Sequence, residues 1–90
     1  IKSLAKISDI MIVIGSFTSA NSKRLAELAK ERNERTYQVT SIDDLNSDWF
    51  QQSDTVGVSA GASTPDNIIE NVITAIKSFG KIKEEELIYE

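Results

Sequence analysis

Two polar turns hold most of the residues in this chain that could do chemistry. The first runs from Gly15 to Ser22 and the second from Ser59 to Pro65. Both combine small residues with hydroxyl or carboxamide side chains, which donate hydrogen bonds without adding a charge of their own. Together with the backbone N–H groups at the start of a helix, such side chains are typical of a phosphate or diphosphate site.

Within these turns, Ser19, Asn21 and Ser63 are the candidate donors to a bound anion. Gly15 and Gly61 are expected to let the backbone approach a ligand closely and to supply the unusual φ that tight turns need. A structural alternative stays open, because Ser, Thr and Asn are common helix N-caps and a small residue such as Gly61 also suits close packing of a helix on a strand.

Two cations follow the first turn directly. Lys23 and Arg24 fall in the first turn of the predicted helix, where each opposes the helix macrodipole by about 0.3 to 1 kcal/mol. A bound polyanion would reverse that penalty. Without one, Arg24 is interpreted as a solvated surface charge.

Each polar turn follows an apolar run and precedes an amphipathic stretch. The run Ile10–Ile14 is apolar on both faces, which is typical of a parallel strand covered by helices on both sides. Further strands are predicted at residues 36–39 and 55–59, and a first helix at residues 22–31.

The last helix has the strongest boundary signals. Thr64 is predicted as its N-cap, Pro65 as its first helical residue and Gly80 as its terminator. A short helix over residues 46–50 is also predicted, with Ser47 as its cap and with Trp49 and Phe50 turned inward.

This order of elements predicts an α/β fold, a three-layer α-β-α arrangement around a small parallel sheet. Residues 1–80 form one domain in this interpretation, and both polar turns then lie at the same edge of the sheet. Residues 81–90 are expected to be a charged tail, either mobile or leading into a further segment.

The composition narrows the classes of function. The chain has 40% apolar and 27% charged residues and a net charge of −4, so it reads as an ordinary globular domain without a basic surface for nucleic acid. Its longest apolar run is too short to cross a membrane. It contains no Cys and no His, which excludes thiolate ligation, disulfides and imidazole acid–base chemistry within these residues. Because it begins at Ile1 and not at Met, we expect it to be part of a longer or processed protein.

The common catalytic motifs are missing from the sequence. It has no Gly-x-Gly-x-x-Gly, no Walker A ending and no Gly-x-Ser-x-Gly elbow, so no catalytic residue is predicted. Asp43 and Asp44 are interpreted as loop solvation, and no metal ligand is predicted either.

The two turns together resemble the sequence of a known protein family. Gly15-Ser16-x-x-Ser19-x-Asn21-Ser22-x-Arg24-Leu25, followed by the run from Val56 to Pro65, resembles the carboxyl-terminal domain of the 4-hydroxy-3-methylbut-2-enyl diphosphate reductases. The resemblance covers nearly the whole chain, from about Ile1 to Gly80, and includes Trp49 between the motifs. It implies one lobe of a three-lobed enzyme built around an iron–sulfur cluster. That enzyme catalyses the last step of the non-mevalonate isoprenoid route, in which the substrate hydroxyl is removed reductively to give isopentenyl and dimethylallyl diphosphates.

The resemblance also assigns roles to individual residues. Ser19, Asn21 and Ser63 match the positions that hold the substrate diphosphate. Ala20 stands where a Ser is often found, so only its backbone N–H could donate, and Ser22 and Arg24 are secondary candidates.

The chemistry of the family lies outside these residues. Its cluster-binding cysteines, its histidines and its proton-donating Glu have no counterpart in this chain. The chain is therefore expected to bind no cofactor itself and to be inactive alone. Its expected partners are the diphosphate substrate and the remaining domains of its parent enzyme. The electron donor stays unassigned. The implied location is the bacterial cytoplasm, or the plastid in a plastid-bearing organism.

Two other functions remain open from the sequence. The chain could be a stand-alone α/β module that binds a phosphorylated metabolite or a nucleotide without catalysis. It could also be an interaction or structural domain that has kept inherited turns.

Overall fold

A four-stranded parallel sheet forms the centre of the part of the chain that the computed structural model describes, namely residues 7–16, 18, 20–51, 55–61, 64–79 and 87–89. The strands are ordered β2-β1-β3-β4, and every neighbouring pair is parallel. The elements are β1 (Ile10–Ile14), α1 (Ala20–Arg32), β2 (Thr36–Val39), two 3₁₀ turns (Ile42–Asp44 and Ser47–Trp49), β3 (Val56–Ala60), α2 (Asp66–Ser78) and β4 (Leu87–Tyr89). The predicted three-layer α/β fold is confirmed.

Strand β1 is the central element, and all five of its residues are fully buried. Because successive side chains of a strand point to opposite faces, Ile10, Ile12 and Ile14 pack on one side, whereas Met11 and Val13 pack on the other. An unbroken run of apolar residues is what this position between two helical layers requires.

Helix α2 covers the first of these faces. Its buried residues Ile69, Val72 and Ile76 recur at helical spacing and pack against the β1 isoleucines. Phe50 is only 3% exposed in the same cluster, and its ring lies 5.6 Å from that of Phe79. This is the larger of the two cores among the described residues.

Helix α1 covers the opposite face with smaller side chains. Ala29 is buried against Met11 and Val13, with Leu25 and Ala26 packed beside them. None of the helices in the described ranges is long and apolar enough to span a membrane.

The cap of the second 3₁₀ turn differs from the prediction. Asn46, and not Ser47, is the N-cap, because its side-chain oxygen accepts a hydrogen bond from the N–H of Asp48 at 2.9 Å. Phe50 is buried as predicted, whereas Trp49 is half-buried and stacks on Tyr37 with 4.1 Å between ring centroids.

The start of α2 also differs from the prediction. The helix begins at Asp66, with Pro65 as a cap residue in extended conformation and no side-chain cap hydrogen bond. The predicted cap, Thr64, instead donates its hydroxyl to the carbonyl of Ile14 at 3.1 Å. The predicted terminator, Gly80, lies outside the described residues.

Strand β4 was not predicted. It pairs with β3 in parallel, with Gly57 opposite Ile88, so residues 87–89 extend the sheet, which the expected charged tail did not include. A three-residue strand is too short to show an alternating pattern, and the charged residues before it dominate the local composition.

Candidate functional site

The two polar turns meet where the connections of the sheet diverge. Strands β1 and β3 are neighbours, with Ile14 paired to Ala60 at their carboxyl ends. The chain leaves β1 for α1 on one face and leaves β3 for α2 on the other. Open α/β sheets bind ligands in the crevice at such a switch point. The prediction that both turns lie at one edge of the sheet is confirmed.

The last carbonyl of β1 accepts hydrogen bonds from the second turn. The oxygen of Ile14 accepts hydrogen bonds from the N–H of Gly61 at 3.0 Å and from the hydroxyl of Thr64 at 3.1 Å. Thr64 N–H in turn donates to the carbonyl of Gly61 at 3.0 Å. The start of the β3–α2 turn is thus attached to the strand that leads into the first turn.

Ser22, the last residue of the first turn, lies beside a glycine of each turn. It is fully buried, and a Cβ added at either Gly15 or Gly61 would overlap its Oγ. Neither glycine has a φ in the left-handed region, so the expected need for an unusual φ is wrong and space for Ser22 is the reason for glycine. Ser22 was itself predicted as a secondary ligand contact. Its burial places the hydroxyl inside this contact and away from the surface.

Two other predicted contacts are exposed near the start of α1, Asn21 in its first turn and Arg24 at the start of its second. Asn21 and Arg24 line a cavity of about 470 Å³ together with Leu25, Leu28 and Ala60. Ala20 is the first residue of α1, so its N–H belongs to the group of helix N-terminal donors that have no partner within the helix. The first turn of α1 contains no acidic residue that would compete with an anion.

Ser19 and Ser63, the two predicted serine contacts, lie outside the described residues. The described residues next to them in sequence show where the chain enters and leaves these positions. Ser16 and Thr18 precede Ser19, and their hydroxyls are 2.8 Å apart. Thr64, which follows Ser63, lies against the end of β1.

A second cavity opens on the α2 side of the same edge. Its volume is about 220 Å³, and it is lined by Gly15, Ser16, Thr40, Thr64, Pro65 and Ile68. Sequence reasoning missed Thr40 here, although its position directly after the predicted strand β2 was a usable signal. Gln38 was missed too, and its amide donates to the carbonyl of Ser16 at 3.2 Å.

The carboxylate of Asp44 is hydrogen-bonded to Thr40 at the rim of this cavity. It accepts hydrogen bonds from the hydroxyl and the N–H of Thr40, and these lower the pKa of Asp44 below its usual value. Over the residues described, no group of three or more acidic side chains is arranged to hold a metal ion. Apart from this carboxylate, which Thr40 holds, the described part of the edge offers hydroxyl and amide donors, the guanidinium of Arg24 and the N-terminus of α1, which suit an anion.

Comparison with known proteins gives the family. The family model described as LytB protein matches residues 1–77. This chain belongs to the LytB protein family.

Several relatives of this LytB chain carry the same name. The 4-hydroxy-3-methylbut-2-enyl diphosphate reductase of Geobacter sulfurreducens is 50% identical over 82 residues, and the match covers 91% of this chain and 29% of that protein. The reductase of the same name from Trichlorobacter lovleyi is 51% identical over 73 residues, and the match covers 81% of this chain and 26% of that protein. The reductase of the same name from Haemophilus influenzae is 40% identical over 87 residues, and the match covers 97% of this chain and 28% of that protein.

A solved structure agrees with these relatives. The structure of (E)-4-hydroxy-3-methyl-but-2-enyl diphosphate reductase, the terminal enzyme of the non-mevalonate pathway, superposes with a TM-score of 0.82 and is 45% identical. The match covers 86% of this LytB chain and 27% of the solved chain. The resemblance found in the sequence is confirmed, and the chain spans a little over a quarter of the length of the relatives it matches.

Proposed function

We propose that this chain is the domain that binds the substrate diphosphate in a 4-hydroxy-3-methylbut-2-enyl diphosphate reductase. The observation that carries the proposal is the meeting of the two polar turns at the switch point of the sheet, with Asn21 exposed on the first turn of α1. The names of the relatives supply the ligand class, because each is a reductase of a diphosphate.

In this role the first turn of α1 provides two of the four proposed contacts. The carboxamide of Asn21 and the N–H of Ala20 donate to the diphosphate, and Ser19 and Ser63 donate from the two turns, as the family resemblance implies. Arg24 lies exposed at the rim of the same cavity as Asn21, where its charge would attract the ligand. The diphosphate would also offset the unfavourable position of Lys23 and Arg24 at a helix N-terminus.

The iron–sulfur cluster of the family does not fit this chain. Such clusters are held by cysteine thiolates, and the sequence contains no Cys. We therefore assign the cluster and the reductive chemistry to other parts of the parent enzyme. This domain holds the charged end of the substrate and orients the rest of the molecule, and alone it is inactive.

The binding step can be tested directly on the chain. Inorganic pyrophosphate is titrated while amide chemical shifts are followed by NMR, first in the wild type and then in Asn21→Ala and Ser63→Ala. A hydrogen bond to a charged group contributes about 1.5 to 3 kcal/mol, so each variant should weaken binding about tenfold or more. Asn71→Ala, an exposed asparagine in the middle of α2, is the matched control and should bind as the wild type does. Unchanged affinity in both site variants would show that the contacts are assigned incorrectly.

A chimaera tests the function in a whole enzyme. The matching segment of the Geobacter sulfurreducens reductase is replaced by this chain, and reduction of 4-hydroxy-3-methylbut-2-enyl diphosphate is measured. We expect a folded, active chimaera in which Asn21→Ala raises KM more than it lowers kcat. A folded chimaera that binds pyrophosphate but never turns over substrate would favour a non-catalytic phosphate-binding module.

A further inference from the structure

One buried hydroxyl-bearing side chain separates the two turns of the proposed site. The side chain of Ser22 is fully buried and lies against Gly15 of the first turn and Gly61 of the second. A Cβ on Gly15 would come within 2.6 Å of the Cβ of Ser22, and a Cβ on either glycine would overlap its Oγ. Ser22 therefore fills the space beside both glycines and leaves no room for a side chain on either one.

Thr64 of the second turn also contacts the residues that lead into the first turn. Its hydroxyl donates to the carbonyl of Ile14, the residue before Gly15. The Oγ1 of Thr64 also lies 3.6 Å from the position of a Cβ on either glycine. Ser22 and Thr64 thus pack around the same pair of glycines.

The order of residues along the chain links this packing to the ligand. Ser22 directly follows Asn21, and Thr64 directly follows Ser63. In each turn a proposed ligand contact is therefore followed by a residue that faces the opposite turn. Any movement of Ser22 or Thr64 is transmitted to the neighbouring contact through a single peptide unit.

We infer that Ser22 and Thr64 are positioning residues that fix the distance between the two diphosphate-binding turns. The inference rests on the proposed function, and it assigns to Ser22 a role as a spacer in place of a ligand contact. Polar groups that bind one ligand from two elements must be held within about 0.5 Å of their productive positions. A spacer of the wrong size would therefore weaken binding while leaving every ligand contact in the chain.

The first test removes the spacer oxygen. Ser22→Ala should weaken binding of inorganic pyrophosphate about tenfold in samples that remain fully folded, because the turns lose their fixed separation. Thr64→Val, which keeps the shape but removes the donor to Ile14, should weaken it in the same direction. Ser78→Ala, an exposed serine at the far end of α2, is the matched control and should leave affinity unchanged.

The second test restores the spacing from the other turn. Gly61→Ala alone places a methyl group on the Oγ of Ser22 and should weaken binding. In the double variant Gly61→Ala with Ser22→Ala, the new methyl occupies the space of the lost oxygen. It then lies 3.6 Å from the Cβ of residue 22, an ordinary van der Waals contact. Among samples that are fully folded, we expect the double variant to bind pyrophosphate more tightly than either single variant, whereas two independent losses of affinity would add.

The outcomes separate this inference from the proposed function. If wild-type chain shows no pyrophosphate shifts, the proposed function and the inference both fail. If wild type binds and Asn21→Ala weakens it, but Ser22→Ala binds like the wild type, only the positioning role is wrong. Additive weakening in the double variant would likewise overturn the spacer role.

Discussion

Asp44 and Thr40 show how a single carboxylate is fixed beside the candidate site. Asp44 lies in the 3₁₀ turn after β2, and its oxygen accepts both the hydroxyl and the N–H of Thr40. Hydrogen bonds that favour the charged form lower a carboxyl pKa. Because the pKa of Asp44 is lower in the folded chain, its contribution to stability is present at neutral pH and is lost as the pH falls through that lowered value.

Replacing Thr40 should reverse part of this lowering of the Asp44 pKa. Thr40→Val removes the hydroxyl donor, the largest cause of the shift, and leaves the backbone donor in place. We expect the pKa of Asp44, followed by carboxyl NMR during a pH titration, to rise toward its usual value. The matched control is Thr74→Val, at an exposed position of α2. An unchanged Asp44 titration in Thr40→Val would contradict the assignment of the hydroxyl as the main cause.

Single residues also show how far the sequence determines the site. Asn21 could be selected from the sequence because a carboxamide at the start of a helix after a strand is a local pattern. The role of Ser22 could not, since its neighbours Gly15 and Gly61 lie 46 residues apart and meet only in the folded sheet. The sequence showed that both turns contain glycine, but it could not show that Ser22 is what requires glycine at these positions.

Among the elements, the second 3₁₀ turn is attached to the sheet by its aromatic residue. The ring of Trp49 stacks on Tyr37 of β2, with an angle of 5° between the planes. Arg35 donates to the carbonyl of Trp49 at 2.8 Å and to that of Asp9 at 3.3 Å. This turn is therefore tied both to β2 and to the residue before β1.

A double-mutant cycle should measure that attachment. Stacked aromatic pairs contribute about 0.5 to 1.5 kcal/mol beyond the area they bury. Tyr37→Leu, Trp49→Leu and the double variant should therefore show a coupling energy of about 1 kcal/mol in urea unfolding. The pair Phe50→Leu and Tyr37→Leu, which form no ring contact among those described, serves as the reference cycle. A coupling near zero for Tyr37 and Trp49 would show that the ring stacking does not attach the turn to β2.

Strand β4 makes a prediction for the edge of the sheet. A chain that stops at residue 86 loses the partner of β3, so the outer edge of β3 becomes open to water. Amide hydrogen exchange should become faster in β3 and stay unchanged, relative to global unfolding, in β2 at the opposite edge. Equal exchange in β3 with and without residues 87–90 would show that β4 contributes nothing to the pairing.

The elements differ in how well their sequences specify them. Strand β1 was predicted with its observed bounds, because five consecutive buried apolar residues leave little choice. The start of α2 was not, since the local signal of Thr64 before Pro65 favoured a cap, whereas the hydroxyl found an acceptor on β1. A distant carbonyl outcompeted the local pattern there, and no local rule could have shown it.

At the scale of the whole molecule, the two helical layers are unequal. Helix α2 buries Ile69, Val72 and Ile76 against β1, with further aromatic and aliphatic side chains around them. Helix α1 buries Ala29 against Met11 and Val13, supported by Leu25 and Ala26. Because the burial of apolar surface is the main source of stability, the α1 layer is held less strongly than the α2 layer by the residues that the structure describes. The proposed ligand contacts Ala20 and Asn21 belong to this weaker layer.

This imbalance predicts that ligand binding stabilises one layer more than the other. In the free chain, amides of α1 should exchange with solvent faster than those of α2, because local opening needs less energy where less apolar surface is buried. The proposed function requires inorganic pyrophosphate to bind the closed form of α1, so pyrophosphate should slow α1 exchange and leave α2 nearly unchanged. The measurement is amide hydrogen exchange followed by NMR at matched ionic strength, with sodium chloride as the control. Equal protection of α1 and α2 without ligand would contradict the unequal layers. Equal slowing of both helices by pyrophosphate would show instead that the chain opens as a single unit, with the site and the two cores coupled throughout.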